Sequence, residues 1–331
     1  MSKISIAMAT YCGERYVRQQ LESLLAQERQ PDEVLIFDDC SKDNTAKIVT
    51  DFIKNNNLTN WRFEVNKENK GFIKNFAHAI EMTTGDIIFL CDQDDVWHSD
   101  KLSKFEKLFD ENPDAMAING SFRFIDGDGN EIHVDDKPNT SNHSLIFRNI
   151  ENGAFDEINQ LEILKGNISP GCTMAIRKEV KDLYLEKTVY SMPHDFELNI
   201  LATLCGKLHF FNEPVIDYRI HETNVIGLDT DGKNKVQFSS GKEKRIQILN
   251  GQKQEVEYFK KNILTDNEKI NIYINSYSEF VKLREKCIIN NSIISWFKML
   301  KYYKIMQSNI PVRQIAGDLL YAMKLQRFFE R

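Results

Sequence analysis

Through the first hundred residues, short apolar runs alternate with stretches of helical period. The runs ISIAMAT (4–10), EVLIFDD (33–39), WRFEVN (61–66) and DIIFLCD (86–92) read as strands. Between them the spacing is that of amphipathic helices. Val17, Leu21, Leu24 and Leu25 share a face within 13–28. Ile48, Val49, Phe52 and Ile53 follow a cap at Ser41 or Asp43, and Phe72, Phe76 and Ile80 share a face within 71–83. This β-α-β-α-β-α-β order predicts an α/β fold: a mostly parallel sheet covered by helices on both faces. In such sheets ligands bind beyond the carboxyl ends of the strands.

After Asp100 the pattern predicts a helix over 101–110, a strand over 116–125, a strand over 171–177 and a helix over 195–206. Residues 126–168 are too long and polar for an ordinary connection and read as an insertion or mobile binding loop. LHFFNEPVIDYRIH (208–221) reads as two short strands around Pro214, and a polar stretch, 222–243, follows. From Lys244 the period is helical to the end. The chain therefore divides into a domain over 1–243, with halves 1–110 and 111–243, and a helical region over 244–331.

The 331 residues suffice for a sizeable core, and a net charge of -6 excludes nucleic-acid binding by bulk electrostatics. That charge is uneven: Lys282–Arg331 holds ten basic and three acidic residues. The six cysteines are scattered, so no disulfide framework or zinc knuckle is expected, and reduced thiols in the cytoplasm are. MSKISIAMATYCGE opens on a strand pattern, unlike a signal peptide. No run of roughly eighteen apolar residues predicts a membrane span.

The carboxyl ends of the four strands present Thr10 and Tyr11, then Asp38 and Asp39, then Asn66 with Asn69 and Gly71, then Asp92, Asp94 and Asp95. The turn ATYCGERY has one glycine and no phosphate-cradling loop, so a phosphate needs another partner. In an extended chain Asp92 and Asp94 point to one side. Together they suit a hard divalent cation, Mn2+ or Mg2+, that also bridges substrate phosphates. On this reading Asp95 faces away, as a cap or hydrogen-bonding support.

These residues carry a resemblance. ATYCGERYVRQQLESLLAQ, IFDDCSKDNT, NKGFIKNF, TTGDIIFLCDQDDVW, PGCTMAIRK and PHDFELNILATLCGKLHFFNEPVIDYRIHETN occur in that order over about the first 225 residues. The set resembles the inverting family 2 glycosyltransferases of GT-A fold, most nearly the bacterial branch that adds L-rhamnose or related sugars to surface polysaccharides. The resemblance implies that Thr10, Tyr11, Glu14, Asp39, Asn69, Lys74 and Asp92 bind the nucleotide. It implies a metal on Asp94 with Asp92 and His221, and Asp195 as general base. Trp97, Gly171, Cys172, His194 and Arg219 would line the sugar or acceptor pocket. It further implies a nucleoside-diphosphate sugar donor, dTDP-L-rhamnose before a UDP sugar, and a glycan or lipid-linked glycan acceptor.

IISWFKMLKYYKIMQSNIPVRQIAGDLLYAMKLQRFFER mixes aromatic, aliphatic and basic residues. That composition suits an interfacial helix on the inner face of the membrane, and equally a bundle packed on the first domain or on a second copy in a homodimer. Two other functions compete. A sugar nucleotidyltransferase also wants paired aspartates but needs the absent glycine- and base-rich loop. A non-catalytic glycan-binding scaffold has no need of Asp92, Asp94 and Asp195 together.

Overall fold

The computed structural model describes residues 1–221, 242–306 and 312–325. Its elements run β1 (Ile4–Thr10), α1 (Val17–Leu25), β2 (Glu33–Asp38), α2 (Thr45–Asn55), β3 (Trp61–Val65), α3 (Phe72–Met82), β4 (Ile87–Cys91), β5 (Val96–Trp97), α4 (Lys101–Glu111) and β6 (Ala115–Ile125). There follow β7 (Glu131–Ile132), β8 (Phe155–Ile158), α5 (Gln160–Leu164), a 3-10 turn (Gly171–Thr173), β9 (Met174–Arg177), α6 (Lys178–Lys187), α7 (His194–Cys205) and β10 (Lys207–Arg219). The chain continues with α8 (Lys242–Asn262), α9 (Glu268–Asn290), α10 (Ile293–Met306) and α11 (Val312–Ala322).

The strands form one sheet in the order β3-β2-β1-β4-β9-β6-β10-β5, with β7 on β6 and β8 on β10. β3, β2, β1 and β4 are mutually parallel, as the alternation of strands and helices requires. Every residue of β1 and β4 is buried, which is why both runs are apolar without alternation. β9 inserts antiparallel between β4 and β6. It brings the Gly171–Thr173 turn to the edge where β4 ends.

Three local expectations change. Residues 208–221 hold one strand, β10, because Pro214 sits where the register with β6 shifts. A bulge tolerates a residue with no N–H to give. The 126–168 stretch is not structureless, since β8 pairs antiparallel with β10. The 171–177 run splits into the 3-10 turn and β9. The polar run 222–243 lies outside the described residues but for its last two positions.

The chain forms two compact units, Met1–Asn159 with Asn167–Gly227, and Gln160–Gly166 with Leu228–Arg331. In the second, α5 is tied to α9 by the Tyr273 hydroxyl, which donates to the Leu164 carbonyl at 3.0 Å. Its core holds a buried ion network. Arg284 Nε donates to Asp318 Oδ2 at 2.7 Å and Arg245 Nη1 to Asp318 Oδ1 at 2.6 Å, joining α8, α9 and α11.

Candidate active site

The loops after β1, β2 and β3 are held by buried carboxylates. Asp38 accepts from the Thr10 hydroxyl at 2.9 Å and from the Ser41 amide at 2.8 Å. Asp39, also buried, accepts from the Lys70 and Gly71 amides, each at 2.8 Å, and from Asn66 Nδ2 at 3.0 Å. Gly71 can present its amide this way because its φ is 80°, a left-handed conformation that side chains disfavour. Asn69 Oδ1 caps the same amide at 3.1 Å. Tyr11 and Lys74 stand exposed at this rim. Gln93, which the sequence reading passed over, clasps the Tyr11 backbone, accepting from its N–H at 2.8 Å and donating to its C=O at 2.9 Å. Glu14 is exposed on the loop after β1. Its carboxylate accepts from the Asn44 amide and side chain, at 2.9 and 2.8 Å, and thereby holds the start of α2.

At the end of β4 the chain leaves extended geometry after Cys91, so strict alternation no longer applies. Asp95 therefore turns inward, correcting the expectation that it faces away. Asp92, Asp95 and Cys172 bring ligand atoms within 4.8 Å of one another. Asp95 Oδ1 accepts from the Arg219 amide at 3.0 Å, while its Oδ2 is buried without a hydrogen-bond partner. Asp100, not Asp95, is the N-cap residue of α4. Asp94 meets His221, with Nε2 2.9 Å from Oδ2, and the imidazole packs against the Tyr16 ring.

Burial, then the mutual repulsion of these carboxylates, pushes Asp95 up to about 7 and Asp92 well above the ordinary range. The charge of Asp195 adds to the repulsion felt by Asp92. The Cys172 thiol is raised by burial and by Asp95 and Asp92. Beneath them lies Lys101, fully buried, donating to the Cys172 carbonyl at 2.6 Å with its ammonium over the Trp97 ring. Burial lowers its pKa to about 7.

Two pocket expectations fail here. Trp97 is only 3 % exposed and packs between Lys101 and Phe89, so it offers no face to a sugar. Arg219 is 1 % exposed, and its guanidinium is spent on the Asp94 and Asp126 carbonyls and Gln19 Oε1. It braces the Asp94–Asp95 loop rather than lining a pocket.

Asp195 lies in the first turn of α7, where the helix dipole favours an anion. Its Oδ1 accepts from the Phe196 amide at 2.9 Å and its Oδ2 from Asn167 Nδ2 at 2.8 Å. Gly171 lets Asp195 and His194 pack closely against its backbone. A Cβ there would meet Asp195 Cβ at 3.1 Å and His194 Nε2 at 3.2 Å. His194 is no pocket residue: it is buried and stacked on Phe76 with ring centroids 4.1 Å apart, and burial lowers its pKa.

The residues at this corner fit a divalent cation. Asp92 and Asp95 come together beside Cys172, and Asp94, on the same loop, pairs with His221. One buried carboxylate oxygen of Asp95 is orphaned, and burial with mutual repulsion holds Asp92 and Asp95 above their usual range. Oxygen-rich sets of this kind suit Mg2+ or Mn2+.

The sequence model of Glycosyl transferase family 2 matches residues 5–183. The dTDP-rhamnosyl transferase RfbG of Shigella flexneri is 28% identical over 241 residues, which cover 69% of this chain and 76% of that protein. The crystal structure of S. aureus TarS 1–349 with UDP-GlcNAc superposes with a TM-score of 0.60 at 16% identity, covering 98% of this chain and 92% of TarS 1–349. The mannosyltransferase PcManGT from Pyrobaculum calidifontis, in complex with GDP-Man and Mn2+, superposes at 0.55 with 13% identity, covering 97% and 87%. At these identities the structural likeness concerns the fold.

Proposed function

This chain belongs to glycosyl transferase family 2, and from that premise we propose that it is a metal-dependent inverting transferase. The donor on this reading is dTDP-L-rhamnose, and the acceptor is a hydroxyl of a surface glycan or of a lipid-linked glycan. The chemistry is assigned to residues 1–243, with the nucleotide bound by 1–110 and the acceptor by 111–243, and membrane or dimer association is assigned to 244–331. The observation that carries the reading is the neighbourhood of Asp195 and the acidic corner. Asn167 orients the Asp195 carboxylate, a Cβ on Gly171 would lie 3.1 Å from Asp195 Cβ, and the next residue, Cys172, groups with Asp92 and Asp95.

In the reaction, Asp195 takes the proton from the acceptor O–H. The acceptor oxygen bonds to the anomeric carbon as the bond to the diphosphate oxygen breaks, and that electron pair leaves with the nucleotide. A single in-line displacement inverts the anomeric centre. Asp92, Asp94 and His221, with Asp95, would hold a divalent cation, which would supply positive charge to the departing diphosphate. Asp39, with its amide partners, holds the loop that faces the nucleoside, and Lys74 is an exposed cation on the same rim.

The dTDP-rhamnose donor draws on the 28% identical relative, and a UDP-sugar donor on the TarS complex. The two are separated by thermal shift across nucleotide sugars with Mn2+. Stabilisation by dTDP-L-rhamnose alone is expected, and stabilisation by UDP sugars alone replaces the donor. Asp195→Asn should retain donor binding and lose turnover by about 10²–10⁴-fold. Retained turnover removes it as the base.

No helix among the described residues is long and apolar enough to cross a membrane. Attachment to an anionic lipid surface at the inner face of the membrane is supported by α10. Ile293, Ile294, Phe297 and Leu300 are exposed there beside exposed Lys298 and Lys301. They lie in a stretch, Lys282–Arg331, with ten basic and three acidic residues.

A further inference from the structure

The side chain that aims Asp195 is Asn167, and Asn167 is itself aimed. Its Oδ1 accepts from Asn199 Nδ2 at 3.1 Å and from the Ile168 amide at 3.1 Å. Two donors at the oxygen fix the sense of the amide, so its NH2 group faces Asp195 Oδ2, 2.8 Å away. Asn199 stands four residues after Asp195 on α7, hence on the same face one turn on. Asn167 thus bridges the two like a clasp across that face.

Asn199 is fixed in turn by Asn119 of β6. Asn119 Nδ2 donates to Asn199 Oδ1 at 2.7 Å, and Asn199 Nδ2 returns a bond to Asn119 Oδ1 at 3.3 Å. Both side chains are fully buried. Three carboxamides therefore lead from the sheet to one carboxylate. A buried amide pair alone could be packing, but the last member of this series spends its donor on the residue assigned to take the proton.

We infer that Asn119, Asn199 and Asn167 are positioning residues that set the direction of the Asp195 carboxylate toward the acceptor hydroxyl. The inference rests on the reading of Asp195 as the base. Asn167 also directly follows Gln160–Gly166, the segment that packs in the helical unit. The clasp therefore begins where the chain returns from that unit.

The test uses the full chain. Asn167→Asp keeps the shape and the acceptor for Asn199 but loses the donor to Asp195. Asn199→Leu strands Asn119, so Asn119→Leu/Asn199→Leu, which removes both buried amides, is made beside it. Crystal structures of the variants and release of nucleoside diphosphate from dTDP-L-rhamnose and from UDP-GlcNAc, with Mn2+ and water as acceptor, are compared with dTDP and UDP affinity. Asn167→Asp and the double variant should slow release by about 10- to 100-fold, the scale of a misplaced reacting group. Nucleotide affinity should stay within twofold, and the Asp195 carboxylate should leave its place in the crystal structures.

Release by Asn167→Asp within twofold of the parent chain overturns the inference, as does an Asp195 that stays in place in both variants. Parent-like release by Asp195→Asn removes the base reading instead. The crystal structures then still decide whether the asparagines hold that carboxylate.

Discussion

His221 Nε2 lies 2.9 Å from Asp94 Oδ2, although 127 residues separate them in the chain. The contact joins the end of β10 to the loop after β4, and Arg219 locks the same junction by donating from its backbone N–H to Asp95 Oδ1. A carboxylate and an imidazole are thus held together from distant parts of the chain, as the proposed pair of ligands requires.

Asp94→Ala should abolish the Mn2+ dependence of dTDP and UDP binding in calorimetry, and His221→Ala should weaken it. Nucleotide affinity that responds to Mn2+ as before in Asp94→Ala removes this residue as a ligand.

Asp39→Ala leaves the Lys70 amide without its carboxylate and the Gly71 amide with the more distant Asn69 Oδ1. Each lost charge-assisted bond is worth about 1.5–3 kcal/mol to the order of that loop. Weaker nucleotide binding, by tenfold or more, is expected with the overall fold retained by circular dichroism. Unchanged affinity would show that the loop does not shape the nucleotide site.

Gly171→Ala asks Asp195 and His194 to give by a few tenths of an ångström. Turnover should fall more than the melting temperature, because the neighbour displaced is Asp195, the residue proposed as the base. A variant with parent-like turnover would mean that Asp195 tolerates the shift.

Asp318→Asn leaves Arg284, fully buried, and Arg245 without their anion. Removing one partner of a buried ion pair costs about 3–5 kcal/mol. Urea unfolding should show that loss. A change below about 1 kcal/mol, the level of a surface pair, would contradict it.

Phe297→Glu on α10 should abolish flotation of the full chain with vesicles containing phosphatidylglycerol, and neutral phosphatidylcholine vesicles should fail to float the parent chain. Flotation of Phe297→Glu equal to the parent ends the lipid assignment. A concentration-dependent dimer that Phe297→Glu dissociates gives the face to a second copy.

Much of this was legible in the sequence, for identifiable reasons. Buried parallel strands have no solvent face, so ISIAMAT and IIFLC show as unbroken apolar runs, and the alternation of strands with helices follows. The parallel order in turn sends Thr10, Asp39, Asn69 and Asp92 to one edge. What tertiary structure decided is every relationship that depends on where the chain stops being regular. Alternation put Asp92 with Asp94, but β4 ends at Cys91, and the turn beyond it brings Asp95 to Asp92 and Cys172 instead. Trp97 reads as a pocket aromatic, with core packing as the alternative, and Lys101 and Phe89 pack against its buried ring. Asn167 carries no local signal, being one asparagine in a polar stretch. Only the folded chain sets its amide between Asn199 and Asp195, because a hydrogen bond across 28 residues is made by packing and leaves no period in the sequence.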